Sequence, residues 1–186
     1  MGDRWQKAMG RARALWRLRV RNRHIKTSGV VHLSRGAEIY CRRGLAHMEI
    51  GRDVWIGAGT AIRCHEGSLR IGDRVVFGGN NTVNAYLDVE IGEDCIFADR
   101  IYVTDFDHKC GSLDVRIQDQ GIDTSPVRLG SDCWIGEKVS ILRGAQVGTG
   151  SVIGAQTVVK GDIPPYSVAV GAPARVVKQR GGERNR

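Results

Sequence analysis

Large apolar residues recur at every sixth position along most of this chain. Ile50, Ile56 and Ile62 open the series, and Ile71, Phe77, Val83, Ile91, Phe97 and Val103 continue it. Leu129, Ile135, Ile141, Val147, Ile153 and Val159 complete it. A helix repeats near 3.6 residues and a half-buried strand alternates at two, so neither accounts for a period of six. A short strand followed by a corner does. Glycine follows the anchor in nine of the fifteen hexads, as in Ile71-Gly72 and Ile135-Gly136, which suits tight corners. Three hexads close a triangular coil of about eighteen residues, and coils stack about 4.8 Å apart by ordinary strand pairing. The anchors point inward. So does the smaller residue four positions later, seen at Val54, Thr60, Val75, Cys95, Cys133, Ser151 and Thr157. The expected fold is an all-β parallel solenoid over residues 50–163.

The flanks differ in character. Net charge is +8, yet residues 1–26 hold nine Lys or Arg against Asp3, and residues 175–186 hold five against Glu183, leaving the middle acidic. Basicity confined to the ends argues against nucleic-acid binding by the whole chain. Residues 3–23 place Trp5, Met9, Ala12 and Trp16 at helical spacing among arginines, so residues 1–26 are expected to form a basic amphipathic helix. Such a helix suits peripheral contact with an anionic membrane, or packing across the open end of the solenoid. Residues 27–49 read as an irregular cap or a first coil, and 164–186 as a C-terminal segment with a basic tail. Five scattered cysteines without a CxxC pair suit a reducing compartment. No apolar run has the length of a secretory core or a membrane span. The expected location is the cytoplasm, at the inner face of the membrane if the basic helix docks there.

The repeat breaks once. After Val103 the register resumes only at Leu129, so residues 104–127 leave the wall as an excursion loop beginning Thr104-Asp105-Phe106-Asp107-His108-Lys109. A regular prism has no concave site, and an excursion can build one. His108 lies beside two carboxylates. A neutral imidazole suits removal of a hydroxyl proton near neutral pH. Its second nitrogen needs an acceptor, for which Asp105, Asp107 and a backbone carbonyl are the choices. One coil earlier, Asn80 and Asn84 face outward and Asn81 inward. Tyr86 can stack on a sugar or pack. Trp134 precedes an anchor and so faces outward, as Trp55 does.

The stretch from Ser131-Asp132-Cys133-Trp134-Ile135-Gly136 to Asp162-Ile163-Pro164-Pro165-Tyr166, with Gly171-Ala172-Pro173-Ala174-Arg175, resembles the hexapeptide-repeat acyltransferases of the maltose, galactoside and polysaccharide O-acetyltransferase type. The resemblance spans about residues 50–178. It implies a left-handed parallel β-helix and direct transfer from acetyl-CoA to a sugar or glycan hydroxyl, with His108 as base and no metal. It also implies acceptor contacts by Asn80, Asn84 and Trp134. The donor's arm would meet the backbone near Glu137 and Ala155, and its phosphates Lys160, Arg175 and Lys178. The family commonly carries Thr-Lys where this chain has Lys160-Gly161, which displaces that cation by one residue. The resemblance further implies a homotrimer whose active sites lie at subunit interfaces, with His108 facing a neighbour's Trp134. The two prolines are expected to end the solenoid, since neither can extend a ladder. The competing expectation is a non-catalytic solenoid scaffold. A three-histidine zinc enzyme would need His47, His65 and His108, whose spacing is not that of a ligand set.

Overall fold

A computed structural model describes residues 25–181. The basic segment 3–23 and the last five residues lie outside them. Three parallel sheets form the walls of a triangular prism. Sheet A stacks β1 (Lys26–Thr27), β4 (Ala46–Ile50), β7 (Gly67–Ile71), β10 (Asp88–Ile91), β15 (Val127–Leu129), β18 (Gln146–Val147) and β21 (Asp162–Ile163). Sheet B stacks β2 (Val31–Leu33), β5 (Val54–Ile56), β8 (Val76–Phe77), β11 (Ile96–Phe97), β16 (Trp134–Ile135), β19 (Val152–Ile153) and β22 (Ser167–Val170), with β23 (Arg175–Gln179) antiparallel on its last edge. Sheet C stacks β3 (Glu38–Cys41), β6 (Ala61–Cys64), β9 (Thr82–Ala85), β12 (Tyr102–Thr104), β17 (Ser140–Ile141) and β20 (Val158–Val159).

All fifteen anchors are buried, and so are the seven companions four residues on. The polar companions are satisfied by corner backbone, as buried hydroxyls must be. Thr60 Oγ1 donates to the Gly78 carbonyl at 2.8 Å, and Ser151 Oγ donates to that of Pro164 at 3.0 Å.

The structure departs from the sequence reading in two places and decides between its alternatives in a third. A coil of eighteen residues occurs where Leu129 pairs with Val147, but Ile50 pairs with Ile71 and Ile71 with Ile91, steps of 21 and 20. Spare residues collect at the corner from sheet C to sheet A, the same corner from which the excursion leaves. Second, of the two forms expected for residues 27–49, a cap or a first coil, the chain takes the coil, with Thr27, Leu33 and Ile39 paired to Ile50, Ile56 and Ile62. Third, Pro164-Pro165 do not end the solenoid. In the coils below, the corner N–H donates upward, from Gly130 to Val147 and from Gly148 to Ile163. At Pro164 no further coil of sheet A lies above, so the missing N–H costs nothing, and the chain runs on into β22.

The recurrent glycine has a different cause from the one expected. Left-handed backbone falls two residues later, mostly on other residue types: Asp53, Arg74, Asn80, Asp94, Arg100, Asp132, Lys138 and Gln156. The glycine itself is needed for close approach. A Cβ on Gly57 would lie 2.1 Å from the Gly78 carbonyl oxygen.

Candidate active site

The excursion is a hairpin. β13 (Phe106–His108) pairs antiparallel with β14 (Ile122–Thr124), and a 3-10 turn at Ile117–Asp119 lies between them. Alternation along β13 puts Phe106 and His108 on one face and Asp107 on the other. His108 is exposed. Its ring meets that of Phe106 edge-on, with centroids 6.2 Å apart.

Neither neighbouring carboxylate orients it. Asp105 is fully buried and turned the other way. Its Oδ1 accepts from the Tyr86 N–H, and its Oδ2 from those of Leu87 and Asp88, each at 2.8 Å. Three backbone donors saturate this carboxylate, and it fastens the hairpin base to the corner one coil below. Asp107 Oδ2 accepts from Arg143 Nε at 2.6 Å, which fastens the opposite face to the coil above. Among the described residues, no hydrogen bond or ion pair joins His108 to either aspartate. Of the three choices for orienting the imidazole, both aspartates are thus engaged with other groups. They hold the strand that carries it.

The two asparagines separate. Asn84 pairs with Thr104 at the end of sheet C from which the hairpin leaves, and its buried Oδ1 has no hydrogen-bond partner among the described residues. Asn80 occupies the left-handed corner at the opposite end, between sheets B and C. The width of sheet C lies between them. Tyr86 cannot offer a free face to a sugar. His65 stacks on it at 4.8 Å and Phe106 meets it at 4.5 Å.

Trp134 lies on sheet B, 55% exposed, in register with Ile96 below and Val152 above. Trp55, Val76, Ile96 and Trp134 form an exposed apolar column up this wall. An open hollow of about 350 Å3 beside Trp134 is lined by Asp94, Ile96, Asp132 and Arg180 among others, and does not include His108. Glu137 and Ala155 stack at the B–C corner, where the Gln156 N–H donates to the Glu137 carbonyl. The Ala174 N–H donates to the Val158 carbonyl, which brings Arg175 to the same corner. Lys178 lies farther along β23, opposite Val168. Lys160 follows β20 at the C–A corner, away from the other four. Within one chain, then, the hairpin stands at one edge of sheet C with Asn84 and Lys160, while Asn80, Trp134, Glu137, Ala155, Arg175 and Lys178 lie across that sheet or on sheet B.

The family described as bacterial transferase hexapeptide, six repeats, matches residues 126–161. Those residues lie in the upper coils of the prism, so the match falls on the repeat that builds the walls. It is 54% identical over 166 residues to a probable acetyltransferase of Mycobacterium tuberculosis, an alignment covering 89% of this chain and 55% of that protein. It is 32% identical over 118 residues to an Escherichia coli protein, WbbJ, named as a lipopolysaccharide-biosynthesis O-acetyl transferase, covering 56% of this chain and 60% of that one. The hexapeptide-repeat chain thus spans somewhat more than half the length of these curated relatives. Its fold is that of AntD, an N-acyltransferase from Bacillus cereus solved with dTDP and coenzyme A. The TM-score is 0.70 at 22% identity, covering 87% of this chain and 88% of that one.

The hexapeptide-repeat register located the hairpin from sequence but missed Arg143 and the role of Phe106. Arg143 lies 36 residues from Asp107, so only folding brings them together. Among the described residues, the histidines do not converge. His47 shares a hydrogen bond with Glu49 on sheet A, and His65 lies between Tyr40 and Tyr86. Among the described residues, no group of three or more His, Cys, Asp or Glu could hold a metal ion. Nor is any helix among them long and apolar enough to cross a membrane.

Proposed function

We propose that this chain transfers an acetyl group from acetyl-CoA to a hydroxyl of a sugar or cell-envelope glycan, with His108 as general base. The observation that carries this reading is the single hairpin that interrupts the wall. It is anchored on both faces, yet leaves its one histidine exposed. A residue packed for stability would be covered, whereas a base must reach a substrate. The resemblance to enzymes named as acetyltransferases supports the same chemistry.

In the proposed step, the His108 imidazole takes the acceptor hydroxyl proton as the oxygen attacks the thioester carbonyl. The carbon–sulfur bond then breaks, and the imidazolium returns the proton to the departing thiolate. Atoms and charge balance without an acyl-enzyme, so exposed Cys110 has no part. Asn84 stands on the hairpin side, where its Oδ1, unpartnered among the described residues, can accept from an acceptor hydroxyl. Asn80, Trp134, Glu137, Ala155, Arg175 and Lys178 lie across sheet C or on sheet B, so they complete the site if a neighbouring copy brings its B–C edge to this hairpin. The apolar column of Trp55, Val76, Ile96 and Trp134 supplies a face for such a contact, in keeping with a homotrimer. Lys160 is set apart from these donor residues and is the weakest member of the group.

The test incubates the full chain with acetyl-CoA and a panel of envelope sugars, with mass detection of the acetylated product. His108→Ala is expected to abolish transfer while circular dichroism and oligomeric mass stay unchanged. Wild-type turnover in that variant would overturn the reading. A stable solenoid without transfer to any acceptor would favour the scaffold alternative.

A further inference from the structure

Among the described residues, His108 has no hydrogen-bonding side-chain partner, and other contacts set the position of its ring. A two-stranded hairpin is marginally stable on its own and takes its position from what it rests on. Here it rests on a column of rings at the C–A corner. Tyr40 and His65 are tilted at 5.5 Å, and His65 stacks on Tyr86 at 4.8 Å and 16°. Tyr86 meets Phe106 at 4.5 Å and 60°, and Phe106 meets His108 at 6.2 Å and 82°. These rings come from four successive coils and climb to the hairpin. Tyr86 is the joint between column and hairpin. Its ring supports Phe106, and its backbone N–H is held by Asp105, the residue immediately before Phe106.

We propose that Tyr86 is a positioning residue for His108, acting through Phe106. Phe106 and His108 share one face of one short strand, so any tilt of Phe106 displaces the imidazole. With Asp105 and Arg143 pinning the backbone, the ring contact is what remains to set the tilt. Removing the Tyr86 ring leaves Phe106 over a gap, and the strand settles toward it. A displacement of about 1 Å at a catalytic group lowers turnover on the order of 100-fold. The phenol hydroxyl has no part in this, so phenylalanine should serve as well as tyrosine. The inference rests on His108 being the base, but its first readout does not.

The experiment uses the full chain with histidine carbon-labelled at Cε1, and compares wild type, Tyr86→Phe, Tyr86→Leu and Tyr40→Leu. The His108 resonance is assigned by its loss in His108→Gln. It is expected to hold its wild-type shift in Tyr86→Phe and Tyr40→Leu, and to move toward the free-imidazole position in Tyr86→Leu. An unmoved His108 signal in Tyr86→Leu, with the His65 signal displaced, would overturn the proposal. So would an equal displacement in Tyr40→Leu, because that is the response of a generally loosened wall. In the transfer assay, Tyr86→Leu should lower kcat about 10- to 100-fold with the KM for acetyl-CoA unchanged, and Tyr86→Phe should restore it. If His108→Ala kept its turnover, the reading of the base would fail while the resonance still reported on positioning.

Discussion

Asp107 and Arg143 lie 36 residues apart in the chain, and Asp107 Oδ2 accepts from Arg143 Nε at 2.6 Å. The pair ties the outer face of the hairpin to the coil above. Both side chains are largely open to water, at 50% and 37% exposure, so the bond contributes little to global stability. Its effect should be local.

Arg143→Gln is therefore expected to change stability by less than about 0.5 kcal/mol. Turnover should fall roughly 3- to 10-fold, because the anchors at Asp105 and Phe106 remain. Thermal melting and steady-state kinetics separate the two effects. A lowered melting point with undiminished kcat would show that the pair is structural only.

Asp105 should behave in the opposite way. Asp105→Ala strands three backbone N–H groups at a part-buried corner. A loss of about 3 kcal/mol or more is expected, lowering Tm by about 6–12 °C. Asp105→Asn keeps one oxygen acceptor and should lose less. Calorimetry decides the matter: wild-type melting in Asp105→Ala with transfer abolished would return Asp105 to the chemistry.

The thiols should divide sharply. Burial pushes the Cys64 thiol up to about 12. A hydrogen bond between Cys95 and Cys133, together with burial, raises the Cys95 thiol as well. A raised thiol pKa keeps the group protonated and unreactive near pH 8. Cys110 alone is exposed, so an aromatic disulfide reagent should titrate one thiol per native chain and five in denaturant. Two or more fast native thiols would contradict the burial of the wall.

Glycine substitutions should rank by clash and not by backbone angle. Gly57→Ala drives a Cβ to 2.1 Å from the next coil's carbonyl oxygen. Gly44 has φ +83 but nothing within 4 Å of its Cβ position. Chemical denaturation should show Gly57→Ala losing about 3 kcal/mol and Gly44→Ala about 1 kcal/mol. The reverse order would mean that the corners are set by torsion.

Much of the wall can be read from the chain alone, since a period of six admits few structures. The buried anchors, the inward Cys95 and Cys133, and the outward Trp134 all follow from register. The coil at 26–41 was harder to see because Thr27 stands where an apolar anchor is expected, although Leu33 and Ile39 already keep the spacing. The prolines misled because a missing N–H matters only where a strand lies above it.

The site divides along the same line. Periodicity is a local property, so the break after Val103 and the histidine within it are visible in the chain. Which group faces that histidine is not local. Asp105 and Asp107 are equal candidates in sequence, yet one turns into the prism beneath three N–H groups and the other outward to Arg143. Strand alternation and the stacking of distant coils decided that, along with the seating of Phe106 on Tyr86. Local spacing told where the solenoid opens, and contacts between coils settled what holds His108 there.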